Sequence, residues 1–311
     1  MESNVKRAEE VRAATAVVLC DGDMPTKKTQ ELLDAYINGT ITLGDLHSSV
    51  DRNYGLSHLD IASKMEHYEE RIQYVDALSR FEQAQLYYWK EAPSVMANRL
   101  HIFDEEVLRG YEDDIVNVNM MRYLAQPTEK QMDYESLLKT HEVLFKDVYV
   151  WAGQERLFNV SKGEHWGDKK VSFADWHEVR FHGERRMRQM NEVLWDRLGE
   201  KERLEEFCYR LARMWQVHPF REGNTRTTMA FGMRYAEMIG LHLDLTKLFA
   251  HAKEVRNQLV QACAGDCSAF VATLQECLVT KPLEQKIHEC EERKKESSFS
   301  PVTSVVEREV R

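Results

Sequence analysis

The stretch His218-Pro219-Phe220-Arg221-Glu222-Gly223-Asn224-Thr225-Arg226 constrains this chain more than any other. It sets a base, a carboxylate, a glycine, an amide and a guanidinium on a loop that runs into an apolar helix, Thr227 to Ile239. Gly223 allows the backbone to approach a ligand closely, and the helix start beyond it offers free N–H groups and a positive dipole end to an anion. A histidine near neutrality takes a proton from a hydroxyl. A carboxylate such as Glu222 suits Mg²⁺, which binds oxygen and shares its coordination with substrate phosphates. Arg226 adds a fixed fork of donors for phosphate oxygens. Any one of these residues has a plainer reading: a packed histidine in a turn, a first-turn glutamate, a solvated arginine. In this order, together, they read as nucleotide phosphate chemistry on a hydroxyl.

The rest of the chain reads as almost all helix. Ile61, Met65, Tyr68, Ile72 and Val75 form one apolar stripe on a helix from about Leu59 to Tyr88. Asp133 to Tyr149 reads helical. Trp151 to Phe173, with Gly153, Gly163 and Gly167 beside Val160 and Val171, reads as a short hairpin. Helices then resume through Met190, and over Glu202 to Gln216, Arg226 to Ile239, Leu248 to Ala262 and Ala269 to Leu278. Beyond Lys281 the chain becomes charged and serine-rich, and disorder is expected there.

The loop resembles the signature of Fic-domain proteins, His-x-Phe-x-Asp/Glu-Gly-Asn-x-Arg-x-x-Arg. Upstream, His141 to Arg156 (HEVLFKDVYVWAGQER) resembles the helix that precedes that family's active site, and Val160-Ser161-Lys162-Gly163 resembles the start of its flap. The resemblance covers about Tyr87 to Leu278. It implies an all-α, Fic-type helical bundle with a short β-hairpin flap over the active site, and Mg²⁺-dependent transfer of AMP from ATP to a protein hydroxyl. It makes His218 the general base, Phe220 the loop anchor and Glu222 the Mg²⁺ ligand. Gly223, Asn224, Thr225 and Arg226 become the phosphate cradle, joined by Ser161, Lys162 and Gly163 of the flap. The flap, about Ser161 to Phe173, would pair with an extended target segment. Two positions depart from the pattern. Thr225 stands where glycine is common, and Met229 stands where the second arginine would contact the γ-phosphate. The alternatives are transfer of UMP, phosphate or phosphocholine on the same scaffold, or a non-catalytic nucleotide-binding regulator.

Ile37 to Leu46, followed by Arg52-Asn53-Tyr54-Gly55, resembles the small antitoxins that inhibit Fic toxins. Gly39 suits a helix C′ position, and Thr42 with Asp45 a capping box. A preceding helix, about Val5 to Leu19, would carry the inhibitory motif. Its nearest match is degenerate, with Val17, Asp21 and Gly22 where the resemblance implies Ser/Thr, Glu and Gly. The expected organisation is 1–55 antitoxin-like, 56–95 connecting helix, 96–280 catalytic domain and 281–311 tail. The implied partners are a target protein and the chain itself, through auto-modification or inhibition by its N-terminus.

Bulk properties exclude other classes. A net charge of −10 disfavours non-specific nucleic-acid binding. No window reaches the ~18 apolar residues of a spanning helix, and Met1 to Glu10 is too charged for a signal peptide. A cytoplasmic protein, or an effector exported without such a signal, is expected. Twelve histidines without metal-ligand spacing, and six cysteines without a framework, argue against a zinc enzyme and against disulfides. The basic run Arg180 to Arg188, with His182, reads first as a solvated helix face and second as a patch for nucleotide or an acidic target.

Overall fold

The computed structural model describes residues 2–56, 79–127, 129–160 and 164–279. Most of the expected connecting helix, the flap residues Ser161, Lys162 and Gly163, and the tail lie outside them. Met1–Leu278 forms one compact unit. It is built almost wholly of helices, and the expectation of an all-α fold holds. Its strands are two residues long, β1 (His165–Trp166) paired antiparallel with β2 (Lys169–Lys170) around Gly167.

The N-terminal segment is three helices, α1 (Glu2–Val18), α2 (Lys27–Ile37) and α3 (Leu43–Asn53). Local chemistry fixes their boundaries. Gly39, at φ 76°, ends α2, with Gly39 N–H bonded to Tyr36 O and Thr40 N–H to Ala35 O, both at 3.0 Å; this is a Schellman closure. Thr42 and Asp45 then cap α3 reciprocally. After α4 (Arg80–Gln85) come the long α5 (Glu105–Leu124) and α6 (Tyr134–Phe145), the latter started by an Asp133/Ser136 capping box. The hairpin leads to α7 (Val179–Asn191), α8 (Glu200–Val217), α9 (Asn224–Met238), α10 (Leu245–Leu248), α11 (Ala252–Cys263) and α12 (Ser268–Cys277).

Three expected helices are shorter than their sequence pattern; the one expected to reach Tyr88 ends at Gln85. The run from Asp133 to Tyr149 stops at Phe145, because Val148 and Tyr149 turn into the core. The run from Leu248 to Ala262 is broken at Phe249–His251, between α10 and α11.

Helix α9 is the centre of the unit. Every residue from Asn224 to Ala236 is buried, and α1, α5, α6 and α8 pack around it. Helix α5 fastens the N-terminal segment through polar groups that are themselves buried. Asp114 accepts from Thr26 N–H and Thr26 Oγ1, both at 2.7 Å, and from the Tyr54 hydroxyl at 2.8 Å. Asn117 donates to Thr15 Oγ1 at 2.9 Å, and Asp113 accepts from Asp23 N–H at 3.2 Å. Removing those partners would leave buried polar groups unsatisfied, at about 1–3 kcal/mol each. His47 of α3 adds a bridge, 3.3 Å from Asp147 and 3.4 Å from Asp51. Hydrogen bonds to Asp147 and Asp51 raise its pKa to about 9, so it is cationic at neutral pH.

Candidate active site

Helix α8 ends where His218 takes the left-handed conformation, φ 52° and ψ 58°. Non-glycine residues seldom adopt it, and such strain concentrates at functional sites. The buried His218 ring lies nearly parallel to Phe173, with centroids 3.8 Å apart, and edge-on to Trp215 at 5.4 Å. Its backbone is held from both sides. The N–H donates to Trp215 O at 3.1 Å, and the carbonyl accepts from Arg156 Nε at 2.8 Å.

Arg156 ties the site together. Its guanidinium also donates to the carbonyls of Phe158 and Ala174, on the segments that enter and leave the hairpin, and its N–H donates to Pro219 O at 2.8 Å. Burial pushes its pKa down to about 10, which leaves it charged at neutral pH.

The loop beyond His218 is equally fixed. Phe220 is fully buried and stacks on the His141 ring at 3.9 Å. Gly153 N–H donates to His141 Nδ1 at 2.7 Å, so the ring proton sits on Nε2 and is donated to Glu222 O at 3.1 Å. Burial pushes the His141 pKa down to about 3, which keeps this tautomer neutral. Asn224 commits its amide to the loop, Oδ1 accepting from Phe220 N–H at 2.9 Å and Nδ2 donating to Phe220 O at 2.8 Å. Thr225 Oγ1 accepts from the Trp215 indole at 3.0 Å. The side chains of both residues are thus engaged within the protein. Gly223, at φ 75°, is the N-cap, and a Cβ there would run into the Phe145 ring.

Arg226 is buried under the loop. Its Nη2 donates to Glu112 Oε1 at 2.6 Å, Nη1 lies 3.8 Å from Asp113, and the guanidinium covers the Phe145 ring at 4.9 Å. Burial works against its charge, but the carboxylates of Glu112, Glu222 and Asp113 outweigh that and push its pKa up. Burial conversely pushes Asp113 up to about 6, with Arg226 opposing. Glu112 also accepts the Tyr149 hydroxyl.

These groups border a cavity of about 310 Å³, at the lower end of small-molecule pockets. Its walls carry six carboxylates (Asp21, Asp23, Glu105, Glu112, Asp113, Glu222) against three guanidiniums (Arg109, Arg221, Arg226). A polyphosphate placed here would meet more carboxylates than guanidiniums. Glu222 Oε1 accepts from Gly223 N–H at 3.0 Å, and Oε2 is 4.0 Å from Arg221. Among the described residues no three His, Cys, Asp or Glu side chains are arranged to hold a metal. A cation at Glu222 would thus be completed by phosphate oxygens and water, which is how Mg²⁺ is commonly bound.

The residues of the degenerate inhibitory motif separate. Val17 is buried in the core, whereas Asp21 and Gly22 stand on the cavity wall, Asp21 at 3.3 Å from Arg256. Met229 is fully buried and does not line the cavity. Sequence reasoning gave no role to Arg156, His141 or Glu112. The first two fall within the motif-bearing stretch, but Glu112 is one acid among several on α5 and carries no local signal.

Fold and site together define an all-α protein in which a left-handed histidine ends one helix and a glycine caps the start of the next. Residues 131–236 match the Fic/DOC family. Over 185 residues it is 28% identical to the probable protein adenylyltransferase y4lH of Sinorhizobium fredii, spanning 58% of this chain and 90% of that protein. It is 24% identical over 194 residues to the protein adenylyltransferase VbhT of Bartonella schoenbuchensis, 62% of this chain but 39% of that one. Two solved structures share the fold. BepC of Bartonella tribocorum with bound AMPPNP has a TM-score of 0.53 at 19% identity, over 64% of this chain and 98% of that one. The N-terminal Fic domain of a Bartonella quintana cell filamentation protein with bound ADP has a TM-score of 0.53 at 17% identity, over 63% and 95%. Among the described residues no helix is long and apolar enough to cross a membrane.

Proposed function

We propose that the chain transfers AMP from ATP to a Ser, Thr or Tyr hydroxyl of a target protein. The observation that carries this is the strained, doubly held His218 beside the start of α9, with Arg226 and Glu222 on the adjoining cavity. The names of the two relatives and the nucleotides bound to two structural neighbours support it.

In this reading His218 accepts the proton of the target hydroxyl. The hydroxyl oxygen forms a bond to the α-phosphorus as the bond to the bridging oxygen breaks, and pyrophosphate leaves. First-turn N–H groups of α9 and the Arg226 guanidinium stabilise the phosphate charge where it grows. Glu222 would hold Mg²⁺, which supplies charge neutralisation on the phosphates when bound. The hairpin around β1 and β2 receives the target by backbone pairing. One observation favours a donor other than ATP: the buried Met229 offers no cation to a γ-phosphate. Arg109 and Arg221 on the cavity wall are the candidates to take that place.

Residues 1–55 are proposed to restrain the site, by occupying the cavity wall with Asp21 and Asp23 beside Glu112 and Asp113, the carboxylates that pair with Arg226. Deleting the segment is a poor test, since it would strip Asp114 and Asn117 of their partners. Asp21→Asn is cleaner. Transfer should rise severalfold, with a small loss of melting temperature from the broken Arg256 pair, and an unchanged rate would sink the restraint.

The transfer itself is tested by mass spectrometry of lysate proteins incubated with the chain, ATP and Mg²⁺. An adenylate adduct on a hydroxyl residue, lost when Mg²⁺ is chelated, is the expected result. A phosphate adduct, or none, would contradict it.

A further inference from the structure

Helix α7, the residues leaving the hairpin and the last turns of α8 enclose a second cavity, of about 170 Å³. Its walls include Phe173, Ala174, His182, Arg186, Arg213 and Val217. Phe173 is the ring that stacks on His218, and Val217 is its chain neighbour, so this cavity adjoins the proposed base without sharing a wall with the Arg226 cavity. It is too small for a nucleotide and of a size for a single side chain.

Its charge is unusual. The neighbouring arginines are compensated: Arg180 lies 3.3 Å from Glu155 and Arg210 2.6 Å from Glu206. Among the described residues, Arg186 and Arg213 make no ion pair. Each instead gives a donor to a glutamine, Arg186 to Gln189 at 3.1 Å and Arg213 to Gln216 at 2.8 Å. Both are half-buried. Burial, and after it the neighbouring guanidiniums of Arg213 and Arg185, push the Arg186 pKa down. Gln216 in turn donates to Ser172 O at 3.2 Å, tying the Arg213 side to the hairpin exit. A guanidinium has five N–H donors, so most of both forks remain for an incoming ligand.

We propose that Arg186 and Arg213 form a specificity subsite for an anionic side chain of the target polypeptide, close to the hydroxyl that is modified. The proposal rests on the reading of His218 as the base and of the hairpin as the docking edge. Two planar forks on one small cavity suit a carboxylate or phosphate group, which accepts bidentate hydrogen bonds. A target segment lying along the hairpin exit at residues 172–174 would bring such a group within reach of both arginines. The unmet positive charge then selects acidic sequences, although backbone pairing alone reads almost none.

The test uses two fluorescent peptides that carry one threonine in a glycine–serine background and differ only in glutamate or glutamine at the flanking positions. Binding to the full chain is followed by anisotropy. Wild type should prefer the glutamate peptide by about tenfold, as for a contact worth ~1.4 kcal/mol. Arg186→Gln and Arg213→Gln should each lose that preference, with melting temperatures unchanged. Arg180→Gln, on the same helix but outside the cavity, should keep it. Equal binding of the two peptides by wild type, or a preference that survives both cavity substitutions, overturns the subsite. If inorganic phosphate protects wild type against unfolding through these arginines while the peptides bind alike, the cavity is a free-anion site and the assignment to a target side chain falls. The outcome is independent of the transfer reaction. His218→Asn should retain the peptide preference whether or not the chain proves to transfer AMP.

Discussion

Arg226 and Arg186 both stand in cavities that adjoin the His218 loop, and they are treated in opposite ways. Arg226 is fully buried and already answered by Glu112 and Asp113 on α5, with Glu112 held in turn by Tyr149. Arg186 is half-buried, faces Arg213, and has glutamine rather than carboxylate beside it. A buried cation left without its counter-ion costs about 3–5 kcal/mol, so the internal pair at Arg226 answers to its depth. Any phosphate that binds Arg226 competes with, or joins, charges already present. At the rim, where water screens, a cation can be left open, and it can recruit charge from outside. Depth thus separates a site whose charges are settled before ligand arrives from one that a ligand completes.

The comparison is broken most sharply at Glu112. Glu112→Ala should cost about 3–5 kcal/mol, because it leaves Arg226 buried with its nearest counter-ion gone. Part of that loss should return on adding AMPPNP with Mg²⁺, whose phosphates would replace the missing charge. Thermal melts with and without nucleotide would read both effects, and a loss below about 1 kcal/mol would mean that Arg226 does not depend on this pair.

His47 gives a smaller, pH-dependent effect on the same principle. Its pKa in the folded chain, about 9, lies above the ordinary 6.5, so folding is favoured by the protonated form. The contribution is complete below pH 6.5, declines as pH rises through 9 and is gone beyond it. His47→Gln should therefore cost about 1.5 kcal/mol or more at low pH and little in alkaline solution. A gap between wild type and variant that stays constant across this range would contradict the bridge to Asp147 and Asp51.

The least effect is expected at Arg186. Arg186→Gln relieves repulsion and removes no ion pair, so stability should stay within about 0.5 kcal/mol of wild type, on the favourable side. A clear loss on denaturant titration would show that Arg186 has a structural partner and would erase the contrast with Arg226.

How much of this was legible in the sequence follows from the range of the interactions. Caps and turns are local: Gly39, Thr42 and Asp45 ended and started helices where their chemistry required. The site loop is also contiguous, so its chemistry could be read from one stretch. Roles that depend on distant pairing could not. Asn224 and Thr225 look like phosphate ligands in sequence, yet their side chains are engaged by Phe220 and Trp215. Arg156 stands out only once Phe158, Ala174 and His218 converge on it. The basic run on α7 reads as a solvated face until Arg213, from another helix, is placed beside Arg186.

The most direct test of the central claim is labelling in lysate with Mg²⁺ and ATP that carries its label at either the α- or the γ-phosphate. Wild type would run beside His218→Ala and His218→Asn, since asparagine tolerates the left-handed backbone that alanine strains. Protein label from the α-position alone, reduced by about a hundredfold or more in both variants, is the predicted result. Label from the γ-position, or α-label undiminished without His218, would contradict it.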